Sequence, residues 1–197
     1  EVRTKRVRQL FDAPHAKPPF VVPSMAEIAA IPWNGLTVAS TFSGAGGSSL
    51  GYRMAGYRVV WANEFVDLAA QSYRANAPDT VVDTRDICQI KAEEILHDTG
   101  LAVGELDLFD GSPPCQAFST AGLREKGWGT ERKYQNGKSQ KNEELFWEFV
   151  RLRDGLQPRV FVAENVSGLV KGAAKGYFLE ILKELKRGYR VEARVVD

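Results

Sequence analysis

Leu36-Thr37-Val38-Ala39-Ser40-Thr41-Phe42-Ser43-Gly44-Ala45-Gly46-Gly47 is the stretch from which the fold is read. An apolar run of strand-forming residues ends in a turn holding three glycines, and a helical pattern begins directly after it. A glycine-rich turn between a strand and a helix is where a doubly wound fold holds a nucleotide-like ligand, because glycine lets the backbone approach the ligand closely. No Gly-Lys-Ser/Thr follows, so this is not a Walker loop, and the spacing departs from the G-x-G-x-x-G dinucleotide fingerprint. Taken alone, the turn is a weak signal, and the alternative is a purely structural strand-to-helix connection.

Working outward, the runs Leu36–Phe42, Tyr57–Ala62, Thr80–Val82, Leu106–Phe109, Arg159–Ala163 and Arg190–Val196 read as strands, each bounded by Gly, Asp, Asn or Pro. Helical stretches lie between them. Leu145, Phe149 and Leu152 share one face of one helix, and Phe178, Ile181, Leu182 and Leu185 share one face of the last. Alternating strands and helices predict an α/β, Rossmann-like fold with a mostly parallel sheet and helices on both faces. Between Gly111 and Asn142 the periodicity stops, which predicts a long functional or disordered loop. Residues 1–35 differ in composition: Arg3, Lys5, Arg6 and Arg8 cluster, and Pro14, Pro18, Pro19, Pro23 and Pro32 follow. They read as an N-terminal extension or arm ahead of a domain spanning 36–197.

The chain has 197 residues, 26 Lys and Arg against 25 Asp and Glu, and 44% hydrophobic residues, enough for one sizeable core. Its 9 prolines and 18 glycines exclude collagen-like and low-complexity classes. No apolar run is long enough to span a membrane, and the basic start has no apolar signal core after it, so no membrane partner and an intracellular location are expected. Two cysteines, Cys88 and Cys115, exclude a disulfide scaffold and a cysteine-rich zinc site, and no metal site is expected. The net charge of +1 does not by itself announce a polyanion.

Glu64 stands twenty positions after Gly44, at the end of the second predicted strand. An acid there accepts hydrogen bonds from ribose hydroxyls. Asp86 and Ile87 end the third strand and offer an acceptor and an apolar wall for an adenine. The alternative for both acids is helix capping.

After the fourth strand comes Asp110-Gly111-Ser112-Pro113-Pro114-Cys115-Gln116-Ala117-Phe118-Ser119. The chain here resembles the DNA cytosine-5 methyltransferases, whose nucleophile motif Pro-Cys-Gln-x-Phe-Ser is matched at Pro114, Cys115, Gln116, Phe118 and Ser119. Further motifs of that family are matched in order at Phe42–Gly47, Asn63-Glu64, Asp86-Ile87 and Glu164-Asn165-Val166. The resemblance covers about residues 36 to 197.

It implies an S-adenosylmethionine-dependent enzyme that forms a covalent adduct between Cys115 and cytosine C6, which makes C5 nucleophilic enough to take a methyl group. Glu164 is implied as the acid that holds the base edge at N3. The base that later removes the C5 proton is not assigned; His15 and His97 read as surface residues. The implied cofactor site comprises Phe42, Ser43, Gly44, Gly46, Gly47, Glu64, Phe65, Asp86, Ile87, Pro114 and Leu145, with Phe42 and Phe65 flanking the adenine and Leu145 closing the methionine side. Gln116, Ser119, Asn165, Arg124 and Lys126 are the implied DNA contacts, Asn165 orienting the loop rather than reacting. The alternative for Cys115 is a buried inert thiol, the reading kept for Cys88; for Glu164 it is a cap or ion pair.

A stacked cytosine cannot present C5 and C6 to a pocket, so the chemistry requires base flipping. Residues 123–141 carry a net charge of +4, which suits phosphate contact or simply a solvated loop. The basic cluster near the N-terminus is a second, weaker candidate. Family members continue into an Arg-containing motif, a target-recognition domain and a last helix, none of which is matched before Asp197. Double-stranded DNA and a second chain carrying the C-terminal motifs are therefore the expected partners, the chain being either a fragment or one subunit of a split enzyme. The expected site of action is the cytoplasm and nucleoid of a bacterium or the nucleus of a eukaryote. A tRNA methyltransferase and a non-catalytic cofactor-binding subunit are the rival readings.

Overall fold

In a computed structural model of the protein, residues 23–114, 132–133, 139–140, 145–170 and 174–196 are described. Contacts divide the chain into Glu1–Ala30 and Ile31–Asp197. In the first unit, helix α1 spans Met25–Ala29 and is opened by a capping box, in which Ser24 Oγ accepts from the Glu27 N–H and Glu27 accepts from the Ser24 N–H.

The second unit contains, in order, β1 (Thr37–Thr41), α2 (Gly47–Met54), β2 (Arg58–Asn63), α3 (Asp67–Asn76), β3 (Val81–Asp83), α4 (Ala92–Thr99), β4 (Leu108–Gly111), β5 (Arg132–Lys133), β6 (Ser139–Gln140), α5 (Leu145–Leu156), β7 (Val160–Ala163) and α6 (Ala174–Leu185). Five strands form a sheet ordered β3-β2-β1-β4-β7, and every neighbouring pair is parallel. Consecutive strands run outward from β1 in one direction and then in the other. The order therefore reverses between β1 and β4, and an open α/β sheet binds its ligands beside the carboxyl ends of the strands at such a switch.

Alternation along the strands loads both faces. Val38, Val59 and Leu108 pack with Tyr52 of α2 on one side, where Ala62 also meets Tyr73 of α3. Ala39, Trp61 and Phe109 face the other side and join α4, α5 and α6 in the main core. A bulge in β2 between the partners of Val38 and Ala39 adds Val60 to that second face. In α5 the expected stripe of Leu145, Phe149 and Leu152 is fully buried, and Phe149 stacks on Phe109 with ring centroids 4.8 Å apart. In α6, Ile181 and Leu185 are buried while Phe178 is only partly so.

Two expectations are corrected. Arg190–Val196 forms no strand, and Val195 and Val196 are exposed. Alternating Val191, Ala193 and Val195 supplies the period of a strand, but a strand also needs a neighbour for its N–H and C=O groups, and this segment bonds to no ladder among the described residues. The second correction concerns the segment after Gly111, which is not wholly without regular structure. Arg132–Lys133 pairs antiparallel with Ser139–Gln140.

Candidate cofactor and nucleophile site

The loops after β1, β2, β3 and β4 meet at one cleft of about 180 Å³. Phe42 from the first, Glu64 and Phe65 from the second, Ile87 from the third, and Ser112 and Pro114 from the fourth are among its walls. Four separate sequence segments thus converge at the switch point.

The glycine-rich turn is held in an unusual backbone form. Phe42 has φ of 53°, a left-handed conformation uncommon for a residue with a Cβ, and such positions persist only when their surroundings over-determine them. Here the next residue is bolted down. The Ser43 N–H donates to the Asn63 carbonyl at 3.1 Å, and Ser43 Oγ donates to the Ser40 carbonyl at 3.0 Å. Gly46, at φ of 96°, caps α2, and a Cβ there would lie 3.0 Å from the Tyr73 ring. Gly47 is the first residue of that helix.

Glu64 is buried, and both of its oxygens are engaged. Oε2 accepts the Gly44 N–H at 2.7 Å and Oε1 the Val66 N–H at 2.6 Å. Val66 stands at the N-cap of α3, and that helix has no side-chain cap, so the bonds of Glu64 tie two loops together rather than cap a helix. A carboxylate oxygen has a second lone pair, so each retains room for a ligand hydroxyl. Asp86 acts as a cap, accepting the Cys88 N–H at 3.0 Å ahead of a 3₁₀ turn at Ile87–Gln89. It is not part of the cleft wall, whereas the buried Ile87 is.

Leu145 lies wholly within the main core and not on the cleft wall. Glu164 follows β7, is exposed, and donates its N–H to the Gly111 carbonyl at 3.0 Å, which sets it beside the end of β4. Asn165 Nδ2 donates to the Pro113 carbonyl at 2.9 Å, so this side chain tethers the loop that leads into Cys115. Cys115, Gln116, Ser119, Arg124 and Lys126 lie outside the described residues, as do the side chains of the basic segment 123–141. Cys88 is exposed, but its thiol is pushed up to about 12 by partial desolvation and then by the neighbouring Asp86 carboxylate, which keeps it protonated and unreactive.

The profile of the C-5 cytosine-specific DNA methylase family matches residues 36–197. The chain belongs to that family. S-adenosylmethionine is the cofactor that membership in the C-5 cytosine methylases implies. Among relatives, the chain is 32% identical to type II methyltransferase M.NgoPII of Neisseria gonorrhoeae over 77% of its own length and 39% of that protein's. It is 36% identical to type II methyltransferase M.AquIA of Picosynechococcus, over 73% of this chain and 53% of the relative. A crystal structure of a candidate prophage-encoded DNA modification methyltransferase from E. coli aligns with TM-score 0.60 and 29% identity, covering 77% of this chain and 38% of that one. The chain therefore spans roughly two fifths of the length of the first curated methylases it matches.

Two residues of this cleft were not singled out from the sequence. Val66 and Ser112 line the cleft, and neither residue type carries a signal of its own. Asn63 is buried, and its side chain donates to the carbonyls of Asp83 and Arg85, which ties the end of β2 to the loop carrying Ile87. The sequence marks Asn63 together with Glu64 in one of the family-like motifs, and it lines the cleft.

Proposed function

We propose that residues 36–197 form the cofactor-binding and nucleophile-bearing part of an enzyme that methylates C5 of cytosine in double-stranded DNA. The observation that carries the reading is the convergence of Phe42, Glu64, Ile87 and Pro114 on one cleft at the β1–β4 switch. Those residues suit S-adenosylmethionine: Phe42, Phe65 and Ile87 offer apolar walls to an adenine, and Glu64 offers acceptors to ribose hydroxyls. When bound, the cofactor supplies an electrophilic methyl group on a sulfonium.

The remaining chemistry falls to the protein. Cys115, directly after Pro114, would add as thiolate to C6 of a flipped cytosine, which would leave C5 nucleophilic toward the methyl group that the cofactor would supply. Glu164 donates a hydrogen bond or proton at N3 and so stabilises the charge that develops on the ring. Loss of the C5 proton then expels the thiolate. Asn165 supports the loop through Pro113. Gln116, Ser119, Arg124 and Lys126 are assigned to DNA, the cations to its phosphates. The relatives are more than twice as long as the matched region in most cases, so target recognition is assigned to further sequence, in the same polypeptide or in a second chain. The protein acts where the DNA is, in a nucleoid or a nucleus.

The test is transfer of labelled methyl from S-adenosylmethionine to unmethylated duplex DNA by the protein, with tRNA as a competing acceptor and Cys115→Ala as control. Incorporation into DNA that Cys115→Ala abolishes is expected. Incorporation that survives the substitution removes the catalytic role of Cys115, and preference for tRNA removes the DNA assignment.

A further inference from the structure

Behind the cleft, on the α2 face of the sheet, lies a buried carboxylate for which the chemistry above has no use. Asp110 of β4 is 3% exposed. Its Oδ2 accepts Ser40 Oγ of β1 at 3.0 Å and Ser48 Oγ of α2 at 2.9 Å, and its Oδ1 accepts the Tyr52 hydroxyl of α2 at 3.1 Å. Ser48 and Tyr52 are four residues apart, so both hang from one face of α2, the helix that the glycine-rich turn opens. Burial and then the charge of Asp110 hold the Tyr52 phenol well above its ordinary range, which keeps it a donor.

The same residue is fixed through its backbone. Its carbonyl accepts Thr41 Oγ1 at 3.1 Å on the opposite face, and Gly111 beyond it leaves no room for a Cβ, which would lie 2.5 Å from Thr41 Oγ1. Ser112 and Pro114, the next cleft residues, therefore leave a strand end with little freedom. Two hydroxyls of α2 thus end on one carboxylate of β4. Removal of the carboxylate would leave the buried Ser40 hydroxyl and the half-buried Tyr52 hydroxyl short of an acceptor, whereas Ser48 is exposed to water.

We propose that Asp110 is a positioning residue that couples occupancy of the glycine-turn side of the cleft to the setting of the loop bearing Cys115. The proposal rests on the cofactor and nucleophile reading given above. Asp110 touches neither ligand nor cytosine; it acts through α2 on one side and Ser112–Pro114 on the other.

The test compares alkylation of Cys115 by iodoacetamide, read by peptide mass mapping, in the full chain with and without S-adenosylhomocysteine, whose affinity is measured separately. In the unaltered chain, bound S-adenosylhomocysteine is expected to change the Cys115 rate by about fivefold or more, a typical coupling between sites. In Asp110→Asn the ligand still binds, and the change shrinks toward none. Tyr52→Phe and Ser48→Ala each remove one hydroxyl from the network with less risk to folding, and each is expected to weaken the effect in part. An equal ligand effect on Cys115 in the unaltered chain and in all three variants, at intact affinity, overturns the coupling. Failure of S-adenosylhomocysteine to bind the unaltered chain overturns instead the reading of the cleft on which the coupling rests.

Discussion

Glu64 joins two loops by accepting from the Gly44 and Val66 amides, so its removal affects both the ligand acceptors and the shape of the turn. Glu64→Ala is expected to weaken S-adenosylhomocysteine binding by roughly tenfold or more, the worth of a charged hydrogen bond, in a calorimetric titration. Unchanged affinity would remove Glu64 from the site. Cys88 supplies a pH prediction. A thiol raised in the folded state stabilises the fold fully below its unfolded value of about 8.5, and that contribution is lost as pH rises toward about 12. Alkylation of Cys88 in the folded chain should accordingly be slow at pH 8 and still be climbing above pH 10. A plateau near pH 9 would contradict the assignment of partial burial and Asp86 as its causes. Glu64 was legible in the sequence because an acid at a strand end has a chemical meaning at a fixed distance from the turn. The conformation of Phe42 was not, since nothing in an aromatic residue announces a left-handed φ. It arises from the bonds that Ser43 makes to Asn63 and Ser40.

At the scale of elements, β4 and α5 approach closely at Gly111, where an added Cβ would lie 2.6 Å from the Phe149 ring. Gly111→Ala is expected to cost about 1–3 kcal/mol by overpacking, seen as a lower urea midpoint with an unchanged slope. A midpoint equal to that of the unaltered chain would mean that Phe149 can move aside. Arg153 makes a different kind of junction. It is fully buried in α5, donates to the last carbonyls of α6 at Glu184 and Leu185, pairs with Asp154, and lies over the rings of Phe161 and Tyr189. Arg153→Ala is expected to destabilise by about 1.5–3 kcal/mol, the worth of hydrogen bonds from a charged donor to buried carbonyls, and thermal unfolding would show it. A loss below about 1 kcal/mol, the usual ceiling for an exposed pair, would mean that the guanidinium is not working as a buried cap. The apolar stripe of α5 could be read from spacing alone because the helix carries its own period. The burial of Arg153 could not, because the carbonyls of Glu184 and Leu185 that receive its guanidinium stand some thirty residues away in the chain. The same limit explains Arg190–Val196, where a correct local period met no neighbouring strand among the described residues.

For the whole molecule, the parallel order β3-β2-β1-β4-β7 makes the site a property of topology rather than of any one motif. The alternation of strands and helices foretold such a sheet; of the cleft wall, the strand ends pointed to Glu64 and Ile87, and the family resemblance to Phe42, Phe65 and Pro114. The buried links behind it, Asn63 to the β3 loop and Asp110 to α2, required coordinates, because hydrogen bonds between distant segments leave no pattern in one sequence. The central claim, that one S-adenosylmethionine site spans the switch between β1 and β4, is tested most directly by amide hydrogen exchange with and without the cofactor. Slowed exchange is predicted in peptides covering Phe42–Gly47, Asn63–Val66, Asp86–Cys88 and Gly111–Ser112 together, at the carboxyl ends of all four strands. Slowing confined to other segments, or no change at saturating cofactor, would contradict it.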